Sequence, residues 1–89
     1  MVTTVAIATR VFGEILLEAG IGHHVYQHDA TGVWPAFEGN AATLAQFVLA
    51  AQAHLGPGDA ALLAVQVREM TYPTAVTEHV YYFPGLELY

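Results

Sequence analysis

The most regular pattern of apolar positions lies near the middle of the chain and predicts an amphipathic helix over about residues 41–55. Asn40, just before this segment, is a favourable N-cap, and Gly56 followed by Pro57 is typical of a helix end. Five apolar residues of the segment recur at helical spacing, and we expect them to face the core. They are Leu44, Phe47, Val48, Ala51 and Leu55.

Shorter apolar runs predict strands on both sides of this helix. Residues 2–9 alternate between the two faces of a strand. Residues 60–70 and 75–83 are rich in apolar, β-branched and aromatic side chains, which also favours strands. We expect the last of these strands to end at Pro84 and Gly85, because proline and glycine commonly bound strands.

The pattern of residues 10–19 is compatible with either a helix or a strand. As a helix, the segment would bury one apolar side and end at Gly20. As a strand, it would set apolar residues against Glu14 and Glu18, with Gly13 in a turn. Because glycine inside a helix costs about 1 kcal/mol, the pattern favours a strand. The buried side of the helical alternative would hold Val11, Phe12, Ile15, Leu16 and Ala19.

Both alternatives predict an α+β fold with a single domain over residues 1–89. We expect an antiparallel sheet of four to five strands, with one main helix at about 41–55 packed on one face. If residues 10–19 are helical, the element order becomes βαββαβ plus one extra strand, which is a ferredoxin-like order.

Residues 23–29 and 33–37 flank the sequence Ala-Thr-Gly and predict a β-hairpin. We expect a three-residue loop, 30–32, with Gly32 in the left-handed conformation. This register separates an apolar side from a polar and aromatic side, whereas a two-residue loop would pair Asp29 with Gly32 and mix the two. The polar and aromatic side would then carry His24, Tyr26, His28, Trp34 and Glu38.

The charge of the chain excludes several classes of partner. Charged residues are 11% of the sequence, the only cations besides histidine are Arg10 and Arg68, and the net charge is −6. Nucleic acids and anionic membrane surfaces attract clustered lysine and arginine, so we expect neither partner. There is no basic signal segment and no apolar run near the roughly 20 residues that span a bilayer. The sequence therefore predicts a cytoplasmic protein.

The composition also restricts the chemistry. The chain contains no serine, cysteine or lysine, which removes the usual acyl-transfer nucleophiles and the Schiff-base amine. His24 and His28 would stand about 13 Å apart along a strand, too far to bind one ion together. We therefore expect no metal and no other cofactor, and the sequence favours a non-catalytic protein without deciding the question.

These observations lead to two functional hypotheses. The first is a small acidic interaction module that binds a protein partner through the polar and aromatic side of the hairpin, as a homodimer. The helix at 41–55 has no lysine, arginine, aspartate or glutamate, although a helix exposed on one side normally carries charges there. The predicted dimer interface is Ala42, Ala45, Leu49 and Ala53.

The alternative hypothesis is a small-molecule or acid–base site. It would be built from His24, His28 and Glu38, with a contribution from Tyr26 or His79. Such a site requires these groups to converge in a cleft that excludes water. An open hairpin face would favour the interaction module instead.

Overall fold

The computed structural model of the protein describes residues 4–71 and 79–89 and confirms the predicted α+β class. None of the helices in these two ranges is long and apolar enough to cross a membrane. The elements are β1 (Val5–Ile7), α1 (Thr9–Glu18), β2 (Val25–Asp29), β3 (Gly32–Gly39), α2 (Ala41–His54), α3 (Pro57–Gln66), β4 (Arg68–Thr71), β5 (His79–Tyr82) and β6 (Leu86–Leu88).

Four strands form an antiparallel sheet in the order β2-β3-β5-β4, and β1 pairs separately with β6 in parallel. The pairing of β5 with β3 extends one residue beyond Tyr82, because the N–H of Phe83 donates a hydrogen bond to the carbonyl of Pro35. The chain then turns out of the sheet at Pro84 and Gly85, where Gly85 has a φ of 88°. The predicted end of this strand at Pro84 and Gly85 is confirmed, and β6 follows as a strand that the sequence analysis did not predict.

The core is built around the four phenylalanines of the chain, which are all fully buried. Phe47 on α2 lies at its centre, with ring centroids 4.9 Å from Phe37, 5.0 Å from Phe83 and 6.0 Å from Phe12. These contacts join α1 and α2 to one face of the four-stranded sheet. We call this the inner face, and the opposite one the outer face.

Helix α2 forms as predicted. The Asn40 carboxamide accepts a hydrogen bond from the N–H of Thr43, and the Thr43 hydroxyl accepts one from the N–H of Asn40, which completes a capping box. All five residues expected to face the core are buried or half-buried. Local signals at the start of this helix and its apolar spacing agree, which is why its position could be predicted.

Residues 10–18 belong to α1, so the preference for a strand over residues 10–19 is wrong. Phe12, Ile15 and Leu16 are buried together on one side of α1, and burying three such side chains outweighs the cost of a glycine in the helix. The helix ends in a Schellman motif, in which Gly20 has a φ of 77° and the N–H of Ile21 donates to the carbonyl of Leu16.

The strand predicted over residues 60–70 is also wrong for most of its length. Residues 57–66 form α3, and only the end of the segment belongs to β4. Pro57 stands in the first helical turn with Asp59, and both residues favour a helix start. The first part of the predicted strand 75–83 lies outside the described residues, and β5 occupies the rest.

The arrangement differs from a ferredoxin-like fold although α1 is helical. The described residues contain three helices instead of one main helix, and β1 lies outside the four-stranded sheet. Of the strand predicted over residues 2–9, Val5–Ile7 form β1, with Val5 and Ile7 buried and Ala6 exposed. Thr9 already belongs to α1, and residues 2–3 lie outside the described residues.

We predict that Gly13→Ala stabilises the protein by about 0.5–1 kcal/mol, because alanine is the better helix former and a Cβ at this position would meet nothing within 4 Å. Urea denaturation of the wild type and the variant measures the difference. Gly20→Ala is the control and should destabilise, because its positive φ strains any residue with a Cβ. A loss of stability in Gly13→Ala would contradict the helical account of α1.

Candidate functional site

Asp29 holds the turn of the hairpin with one carboxylate oxygen. Its Oδ1 accepts hydrogen bonds from the Thr31 hydroxyl at 2.6 Å, the Thr31 N–H at 2.8 Å, the Trp34 indole N–H at 3.0 Å and the Gly32 N–H at 3.1 Å. These donors lower the pKa of Asp29 to about 2, the Thr31 hydroxyl most of all, although partial burial opposes them. The carboxylate therefore fixes the turn in its ionised form.

The turn has two residues, Ala30 and Thr31, with Asp29 paired to Gly32. The predicted three-residue loop is wrong, and the register that it implied is wrong by one residue. Neither turn residue has a positive φ, so this is not the type I′ or II′ turn that normally closes a two-residue hairpin. The Asp29 side chain supplies the hydrogen bonds that hold it instead.

The shift in register separates the predicted site residues, because paired residues share a face of the sheet. Tyr26 pairs with Pro35 and His28 with Val33, on the inner face. The side chains of Trp34 and Glu38 lie on the outer face. The single surface predicted from His24, Tyr26, His28, Trp34 and Glu38 is therefore not formed.

His24 and Tyr26 remain together on the inner side. The imidazole of His24 is half-buried and contacts two rings edge-on, with centroids 5.5 Å from Phe12 and 5.4 Å from Tyr26. Since His28 and Glu38 lie on opposite faces of the sheet, the three groups of the acid–base alternative do not converge. The arrangement does not form the catalytic cleft that this alternative requires.

Trp34 fastens the turn on the outer face. Its indole also donates to the Thr31 hydroxyl at 3.2 Å, and its ring covers Gly32, where a Cβ would come within 3.2 Å of it. The rest of the ring packs against a second, smaller apolar cluster of Ala36, Val80 and Tyr82. Trp34 is thus engaged in holding the hairpin, which is a structural role.

Arg68 connects the two edge strands of the sheet across the outer face. Its guanidinium, on β4, lies 3.7 Å from the Oδ2 of Asp29, on β2. That oxygen is buried and accepts no hydrogen bond from the described residues, so the arginine is its nearest compensating charge. Asp29 therefore fixes the hairpin turn with one carboxylate oxygen and forms an ion pair with Arg68 on the opposite edge strand, β4, with the other.

An apolar groove lies between β3 and β6, at the point where the chain leaves the sheet. It has a volume of about 410 Å³. Two large hydrophobic side chains at the groove are exposed to solvent, the aromatic Tyr26 at 58% and the aliphatic Val33 at 48%. Glu87 is the only charged side chain at the groove within the described residues. The lining residues are Tyr26, Val33, Trp34, Pro35, Leu86, Glu87 and Leu88.

A second cleft, of about 340 Å³, lies beside the start of α2. It brings His23 and Glu38 to one opening, together with the glycine-containing segment 20–22 and the capping residues Asn40 and Thr43. Both ionisable side chains are exposed. The capping groups Asn40 and Thr43 already hydrogen-bond each other, so their side chains are engaged in starting α2.

The predicted dimer interface is exposed. Ala42, Ala45, Leu49 and Ala53 all face away from the core, and Leu49 is 59% exposed. No lysine, arginine, aspartate or glutamate occurs in α2. The structure thus presents an uncharged helical face, which we call the α2 face, and its role stays a prediction.

The other histidines pair with carboxylates. His54 lies 2.9 Å from Glu18 through Nε2, and His79 lies 2.7 Å from Glu69 through Nδ1. Next to the second pair, burial and the charge of Glu69 raise the pKa of Tyr81. Within residues 4–71 and 79–89, no three histidine, aspartate or glutamate side chains are grouped as a metal site would require.

Comparisons with protein-family models, with curated proteins and with solved structures found no match for this chain.

The groove and the role of Asp29 were not predicted from the sequence. The signal for the turn was present, because an aspartate followed by threonine two residues later is typical of a side-chain-stabilised turn. The groove could not be found in the same way, since it depends on where Leu86 and Leu88 lie relative to β3, and that follows from the departure of the chain at Pro84.

We predict that Asp29→Asn removes part of the acid sensitivity of the protein. The pKa of Asp29 is lower in the folded state, at about 2, than its ordinary value of 3.8, so the folded state binds fewer protons. The resulting stabilisation is complete well above pH 3.8, and is lost as the pH falls towards 2. Denaturation curves between pH 2 and pH 7 measure it.

The variant should be less stable than the wild type at pH 7, and the two should converge towards pH 2. Glu87→Gln is the control, because it also removes one carboxylate, but from an exposed side chain that does not hold the turn, and it should leave the stability at pH 7 largely unchanged. A constant difference in stability between wild type and Asp29→Asn across this range would contradict the prediction.

Proposed function

We propose that this protein is a small non-catalytic module that binds a protein partner in the groove between β3 and β6 and self-associates through the α2 face. The observation that carries the proposal is the exposure of Tyr26 and Val33 beside a groove that also contains Leu88. Exposed apolar surface next to a concave site is typical of an interaction surface.

The chemistry of the groove supports a protein partner over a small polar ligand. Its lining is aromatic and aliphatic, with one carboxylate from Glu87. Tyrosine is enriched among the residues that anchor protein interfaces, because one ring supplies much apolar area at a low cost in conformational entropy. Tyr26 remains the proposed anchor from the original surface, while Trp34 supports the hairpin behind it.

The distribution of charge favours self-association through the α2 face. Two copies that each carry a net charge of −6 repel each other, and the repulsion is least where neither copy presents a charge. The α2 face meets this condition over a helix of 14 residues. Its small side chains also allow two helices to approach closely, and a two-fold axis would place the same face on both copies.

We predict that a phage-displayed library of random peptides yields sequences that bind the wild type through the groove. Tyr26→Ala should weaken the selected peptides by about tenfold or more, the effect expected for an aromatic anchor. Titration calorimetry with the synthetic peptides measures the affinity. Leu17→Ala is the control, because Leu17 is an apolar residue even more exposed than Tyr26 and lies on α1, outside the lining of the groove.

The proposal is overturned if no peptide is enriched, or if the selected peptides bind Tyr26→Ala as tightly as the wild type. Circular dichroism of the variant checks that its fold is intact.

A separate prediction concerns Leu49→Glu, which places a charge in the centre of the α2 face. It should raise the dissociation constant of the dimer by at least about tenfold, because two like charges would meet across the interface. Sedimentation equilibrium over a range of concentrations measures it. Val33→Glu adds the same charge at the groove instead and should leave self-association unchanged, and a wild type that stays monomeric at high micromolar concentration would refute this part.

A further inference from the structure

We infer that the groove binds its partner by strand addition, taking an extended apolar segment that carries a lysine or arginine. This inference rests on the proposed function, and it specifies the conformation and chemistry of the bound segment. Two strands border the groove, and each directs backbone hydrogen-bonding groups towards it.

The first of these strands is β3. The N–H of Phe83 donates to the carbonyl of Pro35, so the backbone of Pro35 faces β5. Successive residues of a strand direct their N–H and C=O groups to alternate sides, and Val33 therefore directs both of its groups to the same side as Pro35. Opposite Val33 the chain has already left the sheet after Phe83. Within the described residues, no backbone hydrogen bond therefore joins Val33 to a strand on the β5 side.

The second strand is β6. Gly85 and Tyr89, which flank β6, direct their backbone groups towards β1. The carbonyl of Gly85 accepts a hydrogen bond from the N–H of Val5, and the N–H of Tyr89 donates one to the carbonyl of Ile7. By the same alternation, Leu86 and Leu88 direct their backbone groups away from β1. The N–H of Leu86 bonds to the carbonyl of Phe83. Among the described residues, no backbone hydrogen bond involves the carbonyl of Leu86 or either group of Leu88, and both residues line the groove.

An extended segment is the ligand that such edges recognise. Added strands bind through main-chain hydrogen bonds, and pockets for alternate side chains give specificity. A segment antiparallel to β3 would occupy the line that β5 leaves after Phe83, with Val33 on one side and β6 on the other. A helix uses its backbone groups in its own hydrogen bonds and would leave the groups of these strands unpaired.

The side chains specify the composition of the segment. Tyr26, Val33 and Leu88 require apolar partners, whereas Glu87 is an exposed carboxylate at the groove. Both arginines of the chain already lie beside carboxylates, Arg10 at 2.7 Å from Glu14 and Arg68 at 3.7 Å from Asp29. A cationic residue on the partner is therefore the complement to Glu87 and to the net charge of −6.

The test uses the peptides selected from the random library, made synthetically with and without N-methyl groups on the central backbone nitrogens. N-methylation removes a backbone donor and blocks strand pairing while the side chains are unchanged. We expect it to weaken binding to the wild type by about tenfold or more. We also expect the peptides to be rich in apolar residues and to contain lysine or arginine, with affinity reduced severalfold by Glu87→Gln.

Val33→Pro makes the matching change in the protein. Proline removes the one N–H of β3 that faces the groove, and Pro35 shows that the strand accepts proline at such a position. This variant should also lose about tenfold in affinity, whereas Val33→Thr, which keeps the N–H and a β-branched side chain, should bind nearly as the wild type does. The N-methylated peptides test the inference even if Val33→Pro does not fold.

The outcomes separate this inference from the function on which it rests. If N-methylated and unmodified peptides bind equally well, and Tyr26→Ala still weakens both, the groove binds a partner but strand addition is overturned. Equal binding to folded Val33→Pro and Val33→Thr overturns it as well. Selected peptides without cationic residues refute the charge assignment. Peptides indifferent to Tyr26→Ala overturn the proposed function itself.

Discussion

The packing of Phe47 against three other phenylalanines is the interaction on which the rest of the structure depends. Phe12 comes from α1, Phe37 from β3 and Phe83 from the end of β5, so one ring on α2 connects both helices to the sheet. A chain of this length buries only about 60–65% of its unfolded surface, and it has no disulfide to add stability. Burial of large aromatic side chains at one point compensates for both.

The hairpin depends on a polar constraint in addition to this core. A strand pair with one buried face could pair in two registers that differ by one residue, and each would expose a different set of side chains. The four hydrogen bonds to the Oδ1 of Asp29 select one of them. One carboxylate therefore decides that Tyr26 lies beside the groove on the inner face, while the side chain of Trp34 lies on the outer face.

The same two constraints explain which elements could be predicted from the sequence. Helix α2 and the existence of the hairpin were predictable because cap, spacing and turn residues are local signals that agree. The conformation of residues 10–19 was not predictable from local signals. The helix cost of Gly13 is local, whereas the burial energy that outweighs it is gained only when Phe12 packs against Phe47. The hairpin register and the groove also depend on partners distant in sequence or on side-chain hydrogen bonds, and an alternating pattern alone contains neither.

The pairing of β1 with β6 has a consequence for how the chain folds. Val5 and Leu86 lie side by side, although almost the whole described length of the chain separates them. Closing so long a loop costs conformational entropy before any contact repays it, and non-local pairings of this kind slow folding. We expect the helices and the hairpin to form first and the parallel pair to close last. Until it closes, Leu86 and its neighbours are solvent-exposed, so the groove would be among the last features of the molecule to be completed.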